Sequence, residues 1–358
     1  MTRKQGLNWK IGLSVAVIAS LGVTVLFSIA PSFAYSQLGF FLLGIAAFLV
    51  FSAIDPAIHW ALAPFYYVLS LLFLLLTLIF GEVTRGTVRW LTIGSFSLQP
   101  SELVKPFLIV SFAYFSLRYP PENLKNLAKL TAVMLLPVFL VFKQPSLGNS
   151  LVVLAIWFGV VFAAGLAARF LVLGSLGMVA GLPLVWRLLR PYQRERILSF
   201  LNPYQDPLGR GYHMIQALIS VGSGKILGRG LGHGTQSQLR FLPERQSDFI
   251  FASLAEELGL VGSLILLVAF FFLLKEILAV AEKQKERFNA LVATGVFVFF
   301  FFQTVVNLGI NLNLLPVTGL TLPLVSSGGS SLLASFICLG LVQARDKEEG
   351  KKSLLEIK

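Results

Sequence analysis

Three carboxylates near one helix start carry the strongest chemical signal in the chain. Phe241 to Gly259 reads Phe-Leu-Pro-Glu-Arg-Gln-Ser-Asp-Phe-Ile-Phe-Ala-Ser-Leu-Ala-Glu-Glu-Leu-Gly, a polar segment running into an apolar one. Ser247 or Asp248 is placed to cap the helix, because a short oxygen-bearing side chain accepts from the first free backbone N–H groups. The positive end of the helix dipole also favours a negative charge at that point. A capping aspartate at such a point is more often only a cap. Glu256 and Glu257 follow about 12 Å further along, at 1.5 Å per residue. A charge at a bilayer centre costs ~2.5–3.5 kcal/mol even on the lenient insertion scale, so two adjacent glutamates inside a membrane helix need a partner or a wet cavity.

Other polar groups fall on the same side of the chain's hydropathy pattern. Arg85, Arg89 and Trp90 precede Gln99-Pro100-Ser101-Glu102 and Lys105. Proline suits a first helical turn, and Glu102 and Lys105 at i,i+3 pair with each other or position a bound acceptor or metal. Trp90 is most simply an interfacial aromatic anchor. Lys143-Gln-Pro-Ser-Leu-Gly148 forms a second short loop. The stretch 190–247 carries Arg190, Arg194, Arg196, Arg210, Lys225, Arg229, Arg240 and Arg245 against Glu195, Asp206 and Glu244. Solubility and lipid headgroups explain such an excess plainly; an anionic substrate explains it more sharply, since clustered cations concentrate an anion. Gln303, Asn307 and Asn311 share one helical face, the usual glue between membrane helices. Beyond them, Pro316 to Ser330 is too apolar for a solvated loop and too broken for a helix, so it is expected to dip into the membrane and line a cavity.

The elements that position these groups follow from composition. Of 358 residues 56% are hydrophobic and 13% charged, with a mean hydropathy of +0.80; a soluble chain has roughly twice that charged fraction. The expected fold is an all-α polytopic membrane protein of about ten transmembrane helices, forming one integral membrane domain. Spans are expected near 11–29, 38–53, 60–80, 103–117, 130–142, 147–168, 170–189, 249–274, 288–308 and 331–342, with the long 190–247 loop between the seventh and eighth. Arg118, Lys125 and Lys129, then Lys275, Lys283, Lys285 and Arg287, then the basic tail, mark one side, while 31–37 and 309–330 contain no lysine or arginine. The positive-inside rule puts both termini in the cytoplasm and the long loop outside. The single cysteine, Cys338, excludes an intramolecular disulfide, and His59, His213 and His233 share no metal-ligand spacing. Gly222-Ser-Gly-Lys-Ile lacks the residues of a phosphate-binding loop.

Taken together, Arg89-Trp90, Gln99 to Glu102, Gln144 to Gly148, Asn202-Pro203, Leu242 to Arg245 with Asp248-Phe-Ile-Phe, Glu256 to Gly259 and Leu322 to Ser331 resemble the SEDS family (shape, elongation, division and sporulation) over nearly the whole chain. The Pro-Glu-Arg form and short termini favour its elongation branch over its division branch. Two positions depart from the family pattern: Ser146 stands where an acid is usual, and Ser327 where tyrosine is common. The resemblance implies a peptidoglycan glycosyltransferase of the bacterial cytoplasmic (inner) membrane, polymerising lipid II into β-1,4 glycan strands on the outer face. It places Asp248 as general base, with Lys143, Arg196 and Arg210 as diphosphate contacts. Glu102, Lys105 and Trp90 complete the substrate-binding set. It leaves a divalent cation, magnesium or manganese, open as the one cofactor. It also implies a class B penicillin-binding protein and other elongation-complex membrane proteins as partners, and no nucleic acid. A lipid II flippase is the principal alternative and a non-catalytic scaffold a third.

Overall fold

The computed structural model describes residues 8–84, 87–93, 96–189, 191–209 and 211–344. Helix starts follow local chemistry. Asn8, Asp55 and Asn123 accept from the backbone N–H of Lys10, Ala57 and Asn126, and Pro31, Pro56 and Pro100 sit in first turns, where no N–H is needed. Every expected apolar run is helical: α1 (Trp9–Ile29), α2 (Pro31–Ala53), α3 (Pro56–Phe80), the short α4 (Pro100–Leu103) leading into α5 (Lys105–Arg118), α6 (Leu124–Lys143), α7 (Leu147–Ala163) and α8 (Ala168–Leu188). After the outer region come α12 (Ile250–Lys283), α13 (Arg287–Asn311) and α14 (Gly329–Gln343). Among the described residues, six of these helices are long and apolar enough to cross a membrane by length and composition.

Packing is inverted relative to a soluble protein. Leu42, Val50, Ile79 and Phe271 are exposed, whereas Gln303, Asn307 and Asn311 are fully buried. Apolar side chains face hydrocarbon, while the amides of Asn307 and Asn311 turn inward and find hydrogen-bond partners there. Helix α13 is the central post, packed against α5, α7, α12 and α14; 56% of its most apolar window is buried, against 11% for the peripheral α2.

Four features depart from the sequence reading. Pro31–Gln37 is not a connection but the first two turns of α2, separated from α1 by Ala30 alone. Residues 82–98 form a small antiparallel sheet, β1 (Glu82–Thr84), β2 (Thr87–Ile93) and β3 (Phe96–Leu98), in the order β1-β2-β3. The 190–247 stretch holds α9 (Pro191–Leu201), a 3-10 turn at Pro203–Gln205, α10 (Tyr212–Ser223) and α11 (Thr235–Gln238). Met214, Ala217 and Ser220 are buried on α10, which packs on α12.

The fourth departure matters most. The span expected from 249 to 274 is broken: Gly259 has φ 66° and ψ −161° inside α12. A break frees backbone groups that hydrocarbon cannot satisfy, and the outer segment 225–230 fills the need. The carbonyls of Glu256 and Glu257 accept from Arg229 and Gly230 N–H at 2.9 and 3.0 Å, and the N–H groups of Leu260 and Val261 donate to Lys225 and Ile226 carbonyls at 2.9 and 3.1 Å. Residues 250–258 are therefore a short separate helix, and the long apolar helix begins after it. A Cβ at position 259 would lie 2.2 Å from the Gly228 nitrogen. Gly259→Ala is expected to destabilise by more than about 1 kcal/mol, because both the positive φ and the close approach oppose it. The check is the thermal unfolding midpoint in detergent, and an unchanged midpoint contradicts this account of the break.

Candidate active site

Asp248 lies in the turn before α12, half-buried. Two side chains from α13 fix its backbone: Asn307 Nδ2 and Asn311 Nδ2 each donate to the Asp248 carbonyl at 3.0 Å. Asn311 Oδ1 meanwhile accepts from the N–H of Ala252 at 2.9 Å. Neither Ser247 nor Asp248 occupies the capping position expected of it: Phe249 does, with no side-chain cap of its own, and the amide of a neighbouring helix serves the first turn instead. Phe249 is anchored by an outer apolar cluster with Ala217, Leu242, Ala252 and Ile310, and the His213 ring stacks on it at 6.2 Å.

The broken segment between α13 and α14 closes the other side. As expected it is irregular, and specific side-chain and backbone groups bind its main chain. Asn307 Nδ2 donates to the Leu320 carbonyl at 2.8 Å, and Ser326 Oγ accepts from Leu322 N–H at 2.8 Å while donating to the Ser247 carbonyl at 2.6 Å. Ser327 N–H donates to the Gln246 carbonyl at 2.8 Å. Gln37 Nε2 donates to the Ser326 carbonyl at 2.9 Å and its oxygen accepts from Gly328 N–H at 3.3 Å. A Cβ built on Gly319, which has φ +75°, would lie 3.7 Å from Asp248 Oδ2, so the carboxylate faces this glycine. On the opposite side, a Cβ on Gly148 would meet the Thr318 carbonyl at 2.9 Å and Leu320 at 2.8 Å. The Thr318–Leu320 strip thus lies between Asp248 and the Gln144–Gly148 loop.

Other motif residues converge on the same frame. Arg89, on β2, donates to the Gln144 and Pro145 carbonyls at the C-terminal end of α6. Gln99 N–H donates to Ser330 Oγ at 2.8 Å, and Asn149 Nδ2 to Ser101 Oγ at 3.0 Å. Lys143 is exposed, its Nζ 5.3 Å from the Phe139 ring centroid. Trp90 is half-buried in β2. Of the two other predicted diphosphate contacts, Arg196 lies in α9 with its side chain outside the described residues, and Arg210 is itself outside them.

Glu102 and Lys105 form a direct ion pair at 2.7 Å, with Lys105 fully buried and Glu102 nearly so. Lys105 Nζ also lies 5.6 Å from the Phe299 ring centroid. One turn outward on α13, Gln303 is fully buried and neither of its amide atoms has a partner among the described residues.

Glu256 and Glu257, completely buried, hold the outer region to the helix. Glu256 accepts from Gln236 and Ser237 N–H at 2.8 and 2.9 Å, serving the start of α11. Glu257 Oε1 accepts from Ser28 Oγ at 2.7 Å, Gln238 Nε2 at 2.9 Å and Gly232 N–H at 3.1 Å.

Sequence reasoning counted Arg245 among the loop charges and in the Pro-Glu-Arg landmark, but gave it no role of its own. The structure makes it half-buried, with one guanidinium nitrogen donating to the Ile29 carbonyl at 3.1 Å and a buried Nε without a partner among the described residues. Burial, and then repulsion from Arg240, lower its pKa from the ordinary arginine value. Its place in Pro-Glu-Arg, three residues before the candidate base, was the available signal. No cluster of three or more His, Cys, Asp or Glu side chains suited to a metal occurs among the described residues, so these side chains do not by themselves make a resident metal site.

Comparison with known proteins places the geometry. The cell cycle protein family that groups FtsW, RodA and SpoVE matches residues 5–351. The chain is 39% identical to the peptidoglycan glycosyltransferase MrdB of Escherichia coli K12, over 86% of this chain and 84% of that one. It is 35% identical to the probable peptidoglycan glycosyltransferase FtsW of Saccharophagus degradans, over 96% and 95%. Among solved structures it is similar to a chain from a peptidoglycan synthase complex that coordinates polymerization and crosslinking, at 36% identity and TM-score 0.83, covering 95% of this chain and 97% of that one. It is also similar to the rod shape determining protein RodA of Thermus thermophilus, at 31% identity and TM-score 0.72, covering 95% and 96%.

Two substitutions test the site's architecture. Asn311→Ala removes the acceptor for Ala252 N–H and one donor to the Asp248 carbonyl, so a loss of about 1–3 kcal/mol is expected, with faster amide exchange at 248–252; unchanged exchange contradicts the bridging role. Lys105→Met strands the Glu102 charge and is expected to lose about 3–5 kcal/mol, while adding Glu102→Gln restores most of it. Equal instability of the single and double variants contradicts a self-contained ion pair.

Proposed function

Since the chain belongs to the FtsW, RodA and SpoVE family and is a peptidoglycan glycosyltransferase, we propose that it polymerises lipid II by an inverting transfer in which Asp248 is the general base. The acceptor sugar hydroxyl attacks the anomeric carbon of the donor. A new carbon–oxygen bond forms there as the bond to the diphosphate oxygen breaks, and the hydroxyl proton passes to the Asp248 carboxylate. Attack opposite an α-linked diphosphate leaves a β-1,4 linkage. Diphosphate leaves as a stable anion and needs no proton donor, unlike the alkoxide of glycoside hydrolysis. What it needs is positive charge placed where negative charge develops. Lys143, Arg196 and Arg210 are assigned that role, with Arg245 added for its buried, unpartnered Nε.

The observation that supports this reading is the way Asp248 is held. Its main chain is tied to two asparagines of the central helix, and its carboxylate looks across at Gly319, a residue with no side chain to occupy the space. A positioned base of this kind contributes ~10²–10⁴-fold. Glu256 and Glu257 are spent on the outer segments, so they are not rivals for the role. Glu102, Lys105 and Trp90 are kept in the substrate-binding set, with the buried Glu102–Lys105 pair holding the start of α5. A divalent cation accompanying the diphosphate would enter with the substrate, and no step above depends on it.

The chain is a multi-pass membrane protein. We assign both termini to the cytoplasm and the Asp248 side to the outer face of the inner membrane, following the basic residues of the short loops. The partner that fits is a class B penicillin-binding protein supplying crosslinking, with other elongation-complex membrane proteins, in line with the synthase complex that this chain resembles. The similarities to MrdB and RodA favour cell elongation as the setting.

With purified protein and its transpeptidase partner, Asp248→Asn is expected to lower lipid II polymerisation by at least about 10²-fold, with the thermal midpoint within a few degrees of wild type. Glycan strands made at the wild-type rate by this variant would refute the assignment of the base. Movement of lipid II across vesicles without polymerisation would favour a flippase instead.

A further inference from the structure

A groove with a volume of about 560 Å³ lies far from Asp248, between α1 and the half of α12 beyond Gly259. Its walls are hydrocarbon: Leu13 and Val17 from α1, and Leu264, Val268 and Phe272 from α12. Its charge is confined to one end, the end nearer the two chain termini, where Lys10, Lys275 and Glu276 meet beside Trp9. Lys275 lies about 24 Å beyond the Gly259 break at 1.5 Å per residue, so the groove is remote from the outer site.

The charges at that end are unequal. Glu276 is committed: one oxygen pairs with Lys10 at 3.3 Å, and the other accepts from Asn8 Nδ2 at 3.1 Å. Lys275 is exposed and makes no ion pair among the described residues. Lys10 keeps more than half its side chain in the open despite its pairing. Two ammonium groups against one satisfied carboxylate leave a net positive mouth on an apolar trough. Trp9, 69% exposed, supplies the ring that settles at headgroup level.

We propose that this groove is a binding site for an anionic phospholipid of the leaflet on the side of the chain termini. One acyl chain lies along Leu13, Val17, Leu264 and Val268, and the headgroup phosphate meets Lys275 and Lys10. The occupant is a lipid rather than a partner's helix on grounds of charge placement. The trough is apolar along its length and its two lysines stand together at one end, the pattern of an acyl chain ending in an anionic headgroup. A zwitterionic lipid gains less, because its own ammonium repels the two lysines. This assignment does not depend on the polymerase reading, and its readout is lipid retention rather than activity.

The test is native mass spectrometry of the full-length protein in detergent with equimolar phosphatidylglycerol and phosphatidylcholine. Wild type is expected to retain phosphatidylglycerol roughly fivefold over phosphatidylcholine, the preference that one lysine gives near an anionic surface. Lys275→Ala is expected to abolish that preference, and Val268→Trp, which fills the trough, to lower retention of both lipids. Leu42→Trp, on the lipid-facing side of α2, is the control and is expected to change neither. Equal retention of the two lipids by wild type, or an undiminished preference in Lys275→Ala, would overturn the proposal. So would a photocrosslinker at position 268 that yields a protein adduct in cells instead of a lipid adduct.

Discussion

Two amide hydrogens, one from Asn307 and one from Asn311, converge on the carbonyl of Asp248, and much of the outer half is arranged so that they can. Irregular backbone within an apolar bundle is tolerated only if every N–H and C=O finds a partner inside the protein. The candidate base needs such backbone on both sides: a turn before α12 and an extended, proline-broken strip after α13. Each strip would strand polar groups on its own. Together, with Gln37, Asn307, Asn311 and Ser326 as cross-braces, they supply hydrogen-bond partners to one another. The same side chains that satisfy the backbone therefore fix the carboxylate, and preorganisation follows from the demands of the solvent.

Electrostatics divides the acids into two classes. Glu256, Glu257 and Glu102 are buried and each is bound to definite donors, by backbone, side-chain or ion-pair contacts. A buried pair such as Glu102–Lys105 contributes little net stability, since desolvation nearly cancels its attraction. Its value is that neither partner tolerates rearrangement, which fixes the join between α4 and α5 beneath the site. Asp248 differs by lying half-buried at a turn, as the proposed role requires. The basic excess of the 190–247 stretch, including Arg245, suits the diphosphate-bearing substrate proposed above.

The helices were legible because hydrocarbon demands long apolar runs, and such runs leave few alternatives. The irregular strip was legible from Pro316, Gly319, Pro323 and the Gly328-Gly329 pair. The small sheet was not, since three-residue strands such as Glu82–Thr84 carry no usable alternation. Helix α10 did leave a mark, Met214, Ala217 and Val221 at helical spacing, hidden within a stretch read as polar. The break at Gly259 was missed because one glycine within an apolar run is usually compatible with continuous helix; the partner that makes the break tolerable lies some thirty residues upstream. The bridging role of Asn311 was likewise beyond local pattern. Its amide was read as glue between helices, but its target was a turn 63 residues earlier. The role of Asp248 itself came from resemblance; the residues alone favoured a plain cap.

Chemical rescue tests the central assignment most directly. Replacing Asp248 by alanine removes the base and leaves room beside Gly319 for a small carboxylate. Strand synthesis from lipid II should be nearly absent in Asp248→Ala, should rise with added formate, and should be unaffected by formate in wild type. Synthesis by Asp248→Ala at the wild-type rate without formate would mean that the proton leaves by another route, and the account would be wrong.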